Sequence, residues 1–204
     1  VLSAFAEMAK NSKALDGDWQ GDGWGVAWLN EQNQWHRKTS LAPVWEEPQE
    51  FETIPETRTF LAHARAASFP QHKGIIEYNQ PYLFEDYAFV FNGMVRGVTL
   101  TDIPGRIGAE RIWFLVQKEL QVHHPEKALQ NIKELFLQNA KEIVALNIGL
   151  ATKDGIYALN EFSRNPEYYS LHHWSDETMD VICSEPLAFF TPVKEETDLV
   201  EVSP

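Results

Sequence analysis

Four short segments carry the residue types that catalysis or tight binding would need. Gly21-Asp22-Gly23-Trp24-Gly25 sets three glycines around one aspartate, so the backbone there can turn tightly and approach a neighbour closely. A phosphate cradle needs a strand before such a loop and a helix after it. Here the apolar run Val26-Ala27-Trp28-Leu29 follows and reads as a strand, so the phosphate reading fails. A strand-entry turn in which Asp22 bonds backbone amides is the simplest alternative. Leu61-Ala62-His63-Ala64-Arg65-Ala66-Ala67-Ser68 places one His and one Arg among small apolar residues. On a strand His63 and Arg65 share a face. A guanidinium held there needs a partner, and its fork suits a carboxylate, whether from a ligand or from an internal Asp or Glu.

Phe89-Val90-Phe91-Asn92-Gly93 is an apolar strand that ends in Asn-Gly. That ending reads as a turn. The sharper alternative is an oxyanion hole, since a side-chain amide and a glycine N–H at a strand end can both donate to a developing alkoxide. Cys183, the only cysteine, lies in an apolar strand without an adjacent basic residue, which marks a structural thiol rather than a nucleophile. Adjacent histidines diverge on a helix or strand, so His123-His124 and His172-His173 read as surface or packing residues rather than a metal site. No nucleophile elbow and no Ser-His-Asp motif is present, and neither a metal nor a cofactor is expected.

The elements that must position these residues follow from periodicity. Residues 2–12 read as a short amphipathic helix and Asp16-Gly17-Asp18 as a loop. The strand at Val26–Leu29 returns through a polar turn to a second strand at Trp35–Thr39. Residues 43–57, with Pro43, Pro48 and Pro55, read as an irregular excursion with at most one short helix. Thr59–Ala66 and Tyr87–Phe91 are strands. Residues 107–121 and 125–142 are helices, the first with Ile107, Ile112, Phe114, Leu115 and Leu120 inward, the second with Ala128, Ile132, Leu135 and Phe136. Strands are then expected at 143–152, 155–162, 167–173, 179–183 and 198–202, with Asp154-Gly155 joining the first two as a hairpin. This order points to one α+β domain over residues 1–204, with sheets covered by helices.

Composition sets the outer bounds. With 204 residues and 44% hydrophobic content the chain can build one sizeable core. A net charge of −13 repels phosphate backbones and anionic lipid, which argues against nucleic acid and membrane surfaces as partners. A single cysteine rules out an internal disulfide, and a reducing cytoplasm is the simplest setting. No apolar run approaches the roughly 20 residues of a membrane span.

Taken in chain order, Asp22-Gly23-Trp24-Gly25, His63-Ala64-Arg65 with Ser68, Asn79-Gln80-Pro81-Tyr82, Asn92-Gly93 and Ser184-Glu185-Pro186-Leu187 resemble the class II glutamine amidotransferases, which are N-terminal-nucleophile hydrolases, and their small stand-alone members in particular. The resemblance implies a four-layer αββα sandwich, two stacked antiparallel sheets between helices. It implies that an N-terminal cysteine attacks the side-chain amide of glutamine or of a γ-glutamyl compound, with its own α-amine as base, and that water resolves the thioester. It assigns Asn92 and Gly93 to the oxyanion hole and Arg65 to the substrate carboxylate. His63 and Ser68 support that strand and loop, and Asp22, Gly23 and Trp24 shape the pocket. The implied partner is a small-molecule amide substrate, with room for an ammonia-accepting partner enzyme and for a homo-oligomer.

The sequence departs from the family pattern in three places. The family opens Met-Cys with a short strand ahead of the helix read here at 2–12, so the nucleophile is expected roughly ten to twenty residues upstream of Val1. Phe91 stands where the family has a histidine before Asn-Gly. Ile107-Gly108-Ala109-Glu110 stands where the family has Thr-Asp-Ser-Glu, so Gly108 replaces the aspartate that holds the substrate ammonium. An ammonium without its counter-ion in a buried pocket binds poorly. Beside the amidohydrolase reading stands an alternative: a catalytically inactive member that keeps the fold to bind a small ligand or partner.

Overall fold

The computed structural model describes residues 1–12, 19–100, 102–188 and 199–202. The loop expected at Asp16-Gly17-Asp18, and residue 198 of the last expected strand, lie outside the described residues.

Two antiparallel sheets and their helices are stacked in layers. In the first sheet, β1 (Trp24–Leu29) is central, flanked by β2 (Trp35–Ser40) and β3 (Phe60–Ala64). β1 is buried almost throughout, as its unbroken apolar run requires of a middle strand. The β1–β2 turn is fixed by Asn30, whose Oδ1 accepts from the N–H groups of Gln32 and Gln34, both at 2.9 Å. Across the other edge Gly25 faces His63 and Trp24 faces Ala64.

The second sheet has the order β10-β7-β6-β5-β4. Its members are β4 (Tyr82–Phe84), β5 (Tyr87–Arg96), β6 (Glu142–Ala151), β7 (Ile156–Leu159) and β10 (Leu199–Val202). A separate ribbon pairs β8 (His172–Ser175) with β9 (Asp180–Cys183).

Three clusters of side chains glue the layers. Helix α1 (Leu2–Lys10) lays Phe5, Ala6 and Ala9 on Trp24, Val26 and Val44 of the first sheet's side. Ala27 and Leu61 of the first sheet meet Ala88 and Ala151 of the second, and their small size lets the two sheets lie close. On the far side of the second sheet, Phe89, Phe91, Leu146, Ile148 and Leu150 pack against α2 (Gly108–Leu120) and α3 (Pro125–Asn139), with Phe89 stacked on Trp113 at 4.7 Å. The sequence of layers is helix, sheet, sheet, helices, which is the expected four-layer αββα sandwich.

Several expectations need correction. β5 does not stop at Asn92-Gly93 but runs on to Arg96, because the long strand β6 pairs with it throughout, Asn92 against Asn147 and Gly93 against Leu146. The strand expected at 167–173 is instead a helical turn, α4 (Pro166–Tyr169), followed by β8. Pro166 opens that turn, where its fixed φ suits a helix start, and Asn165 before it is left-handed at φ 53. On α2, Trp113 and Val116 are buried while Phe114 is only partly so; on α3, Leu129 is buried and Leu135 is exposed. Residues 44–46 and 48–53 form two 3₁₀ turns rather than one helix. Among the described residues, no helix is long and apolar enough to cross a membrane.

Candidate functional site

Arg65 follows directly on β3 and extends its pairing, donating its N–H to the carbonyl of Gly23 at 2.9 Å while its own carbonyl accepts from Asp22. The residue is only 6% exposed. Its guanidinium donates to the side-chain oxygen of Asn79 at 3.3 Å and to the carbonyl of His72 at 2.7 Å, and lies 5.7 Å from the centre of the Tyr78 ring. Burial lowers its pKa, against opposing contributions from Tyr82, Asp22 and Tyr78, and it remains a cation. No ion pair among the described residues engages it. Asp22, the carboxylate closest in effect, is paired with Lys73 at 3.0 Å and accepts from the N–H of Ala67 at 2.9 Å. Asp22 therefore does what a strand-entry turn asks of it, and of the two partners open to Arg65, the internal carboxylate is not used among the described residues. Two or more of the five guanidinium N–H groups remain for a ligand.

Asn79 and Gln80 hold this arrangement together. Asn79 is fully buried; its amide donates to the Ser40 carbonyl at 2.6 Å, and its carbonyl accepts from Arg37 at 2.7 Å. Gln80 grips the backbone of Phe91 from both sides, accepting from its N–H at 2.6 Å and donating to its carbonyl at 3.0 Å. The glycines of the first segment make room for this pair. A Cβ at Gly23 would lie 2.7 Å from the Ser40 carbonyl and closer still to the Asn79 amide; one at Gly25 would meet the Gln80 carbonyl. Gly23 also holds φ +126, which disfavours a side chain.

β4 covers β5 only over Tyr87–Phe89. Beyond that, Gln80 stands in for a strand partner at Phe91. Alternation along an antiparallel strand directs the N–H of Gly93 to the same edge as that of Phe91, away from β6. His63 lines the same cavity as Phe91. As a residue it is half-buried, yet its Nδ1 is inaccessible to solvent and has no partner. Burial, then the Arg65 cation, press its pKa from 6.5 to about 4, so the ring is neutral.

Arg65, Gln80, His63, Phe91 and Gly93 border one cavity of about 1020 Å³. Of the residues singled out from the sequence, His63, Arg65, Ser68, Asn92 and Gly93 line it; Asp22, Gly23 and Trp24 do not. Trp24 is wholly buried and its indole N–H donates to Glu47 at 2.8 Å. Gly108, singled out as the position of the missing aspartate, lines it too; Gln80, Tyr78, His72, Arg96 and Arg164 also line the cavity and were given no role beforehand. Asn79-Gln80 had a legible signal, two adjacent amides in an apolar context; Arg96 and Arg164 had none, since only folding brings them together. Cys183 is absent from the lining, and burial pushes its thiol up to about 12, which removes it as a nucleophile. No group of side chains suited to a metal ion occurs among the described residues.

Known proteins with this architecture are found by structure and not by sequence. No family profile matches the chain, and no curated protein sequence does. Among solved structures, a glutamine aminotransferase class-II domain protein from Silicibacter pomeroyi is 16% identical, with a TM-score of 0.64 over 90% of this chain and 95% of that one. Glutamine phosphoribosylpyrophosphate amidotransferase from B. subtilis is 13% identical, with a TM-score of 0.65 over 99% of this chain. A structure described as the allosteric regulatory enzyme of purine biosynthesis is 15% identical, with a TM-score of 0.73 over 99% of this chain. The chain spans 46% and 43% of the lengths of those last two. The fold is thus that of class II glutamine amidotransferase domains, and the likeness at these identities is one of fold.

Proposed function

We propose that this domain cleaves the side-chain amide of a small carboxylate-bearing compound, glutamine or a γ-glutamyl amide, as an amidohydrolase or glutamine amidotransferase. The observation that carries this reading is Arg65: a buried guanidinium with neutral partners, facing a cavity that the open edge of β5 also borders. An unneutralised cation there suits a substrate carboxylate. The nucleophile would be the thiol of a cysteine ahead of Val1, with its free α-amine as base. Addition of the thiolate to the amide carbon builds an oxyanion, to which the Asn92 amide and the Gly93 N–H would donate. Collapse expels ammonia or an amine, which takes up the proton, and leaves a thioester. Water then releases the acid. His63 and Ser68 would support the carboxylate-binding side, and Asp22, Gly23 and Trp24 would fix Asn79 and Gln80 under it. The ammonia would be released or handed to a partner enzyme in the cytoplasm.

The test is ammonia or amine release by the full-length protein from a panel of γ-glutamyl and other ω-amides, with the leading cysteine intact and changed to alanine. Turnover that disappears in the variant, with an acyl-enzyme detected by mass spectrometry in the parent, supports the mechanism. Turnover that survives overturns it. Ligand binding without any acyl-enzyme identifies instead an inactive member that binds small molecules.

A further inference from the structure

The charge around the cavity is lopsided. Among the described lining residues there are three guanidinium groups, Arg65, Arg96 and Arg164, and one carboxylate, Glu185. Glu185 already accepts a hydrogen bond from the Ser12 hydroxyl. Arg96 and Arg164 share a single carboxylate, Glu142, at 3.2 and 3.4 Å, so one positive charge there is left over. Arg65 has no carboxylate at all, its neighbour Asp22 being committed to Lys73. This local excess of cation occurs in a chain whose net charge is −13.

The start of α2 adds nothing negative. Gly108 lines the cavity, and a Cβ there would meet nothing within 4 Å. The first carboxylate of the helix, Glu110, is not in the lining, and Arg106 holds it through its backbone N–H at 2.6 Å, one terminal nitrogen at 2.7 Å and Nε at 3.4 Å. The amides at the head of a helix add partial positive charge of their own.

We infer that the site takes ω-amides that carry a carboxylate and no free α-ammonium, such as glutaramate or glutamine acylated on its amine. The inference rests on the amide-cleaving reading above and narrows its substrate. An ammonium in this cavity meets three guanidinium groups against one lining carboxylate, Glu185, which already has a partner, and an excess of like charge disfavours the charged form. A carboxylate meets Arg65 with donors to spare.

The experiment is calorimetric titration of the full-length protein, and of its Gly108→Asp variant, with glutaramate and with L-glutamine. The parent is expected to bind glutaramate at least tenfold tighter than glutamine. The variant, whose added carboxylate enters open space, is expected to cut that ratio at least tenfold; should it not fold by circular dichroism, the parent's ratio decides alone. Glutamine binding as tightly as glutaramate overturns this inference and leaves the amide reading standing. Loss of that glutamine binding in Glu185→Gln would then identify Glu185 as the ammonium partner. Failure of the parent to bind glutaramate, glutamine and N-acetylglutamine at millimolar concentration overturns both.

Discussion

Arg65 and Gly108 line the same cavity, and their surroundings could hardly differ more. Around Arg65 every neighbour is fixed: Asn79 and the His72 carbonyl take its donors, and Gly23 and Gly25 are bare so that Asn79 and Gln80 can lie against β1. Around Gly108 there is open space, with Ile107 and Ala109 on either side. The Arg65 side is thus part of the sheet scaffold and cannot be altered without disturbing it. The helix-start side can accept a new side chain at little cost. A fold divided in this way would, on the proposed reading, keep its grip on a carboxylate while its choice among carboxylates changes at one position.

The sharpest test of this contrast uses two glycines. A Cβ at Gly93 would lie 2.6 Å from the Ala145 carbonyl carbon, and nearer to its oxygen, so Gly93→Ala is expected to destabilise by about 2–4 kcal/mol in urea unfolding. Gly108→Ala should change stability by less than about 1 kcal/mol and in the favourable direction, since alanine is the better helix former. Equal costs at the two sites would erase the distinction.

The pH dependence of folding comes next. The His63 pKa lies near 4 in the folded protein against 6.5 ordinarily, so the unfolded chain binds that proton more readily. Its contribution to stability is whole above about pH 6.5, shrinks as pH falls and levels off below about pH 4. The full swing is about 3 kcal/mol. His63→Phe should flatten that part of a stability–pH profile, and an unchanged profile would mean the ring is not held neutral.

Arg65→Met should weaken glutaramate binding roughly 10- to 100-fold, the worth of a charge-assisted hydrogen bond. Arg65→Lys should restore only part, because a point charge cannot reproduce the fork. Gln80→Leu strips both bonds from the Phe91 backbone and should cost about 1–3 kcal/mol, read from the same unfolding curves.

Periodicity carried the sequence reading well where a segment has one dominant partner. The amphipathic stripes of α2 and α3 and the solid apolar run of β6 are legible because burial alone decides them. Asn92-Gly93 misled because a local turn signal was overruled by pairing with β6, a strand about fifty residues away in sequence. Pro166 opens a helical turn where a strand was expected at 167–173. In the site, Arg65 and His63 stood out as charged or titratable residues among alanines. Gln80 was visible as one of two adjacent amides, but its grip on Phe91 and the clustering of Arg96 and Arg164 are products of topology.

Gln80 bears on more than the site. Past Phe89, strand β5 has a strand neighbour on one side only among the described residues, and a row of unpaired backbone donors and acceptors invites a strand from another molecule. By satisfying Phe91 with a side chain, the protein blocks the middle of that row while leaving the space beside Asn92 and Gly93 open to a small molecule. The same amide that steadies the site therefore guards the chain against sheet-to-sheet aggregation.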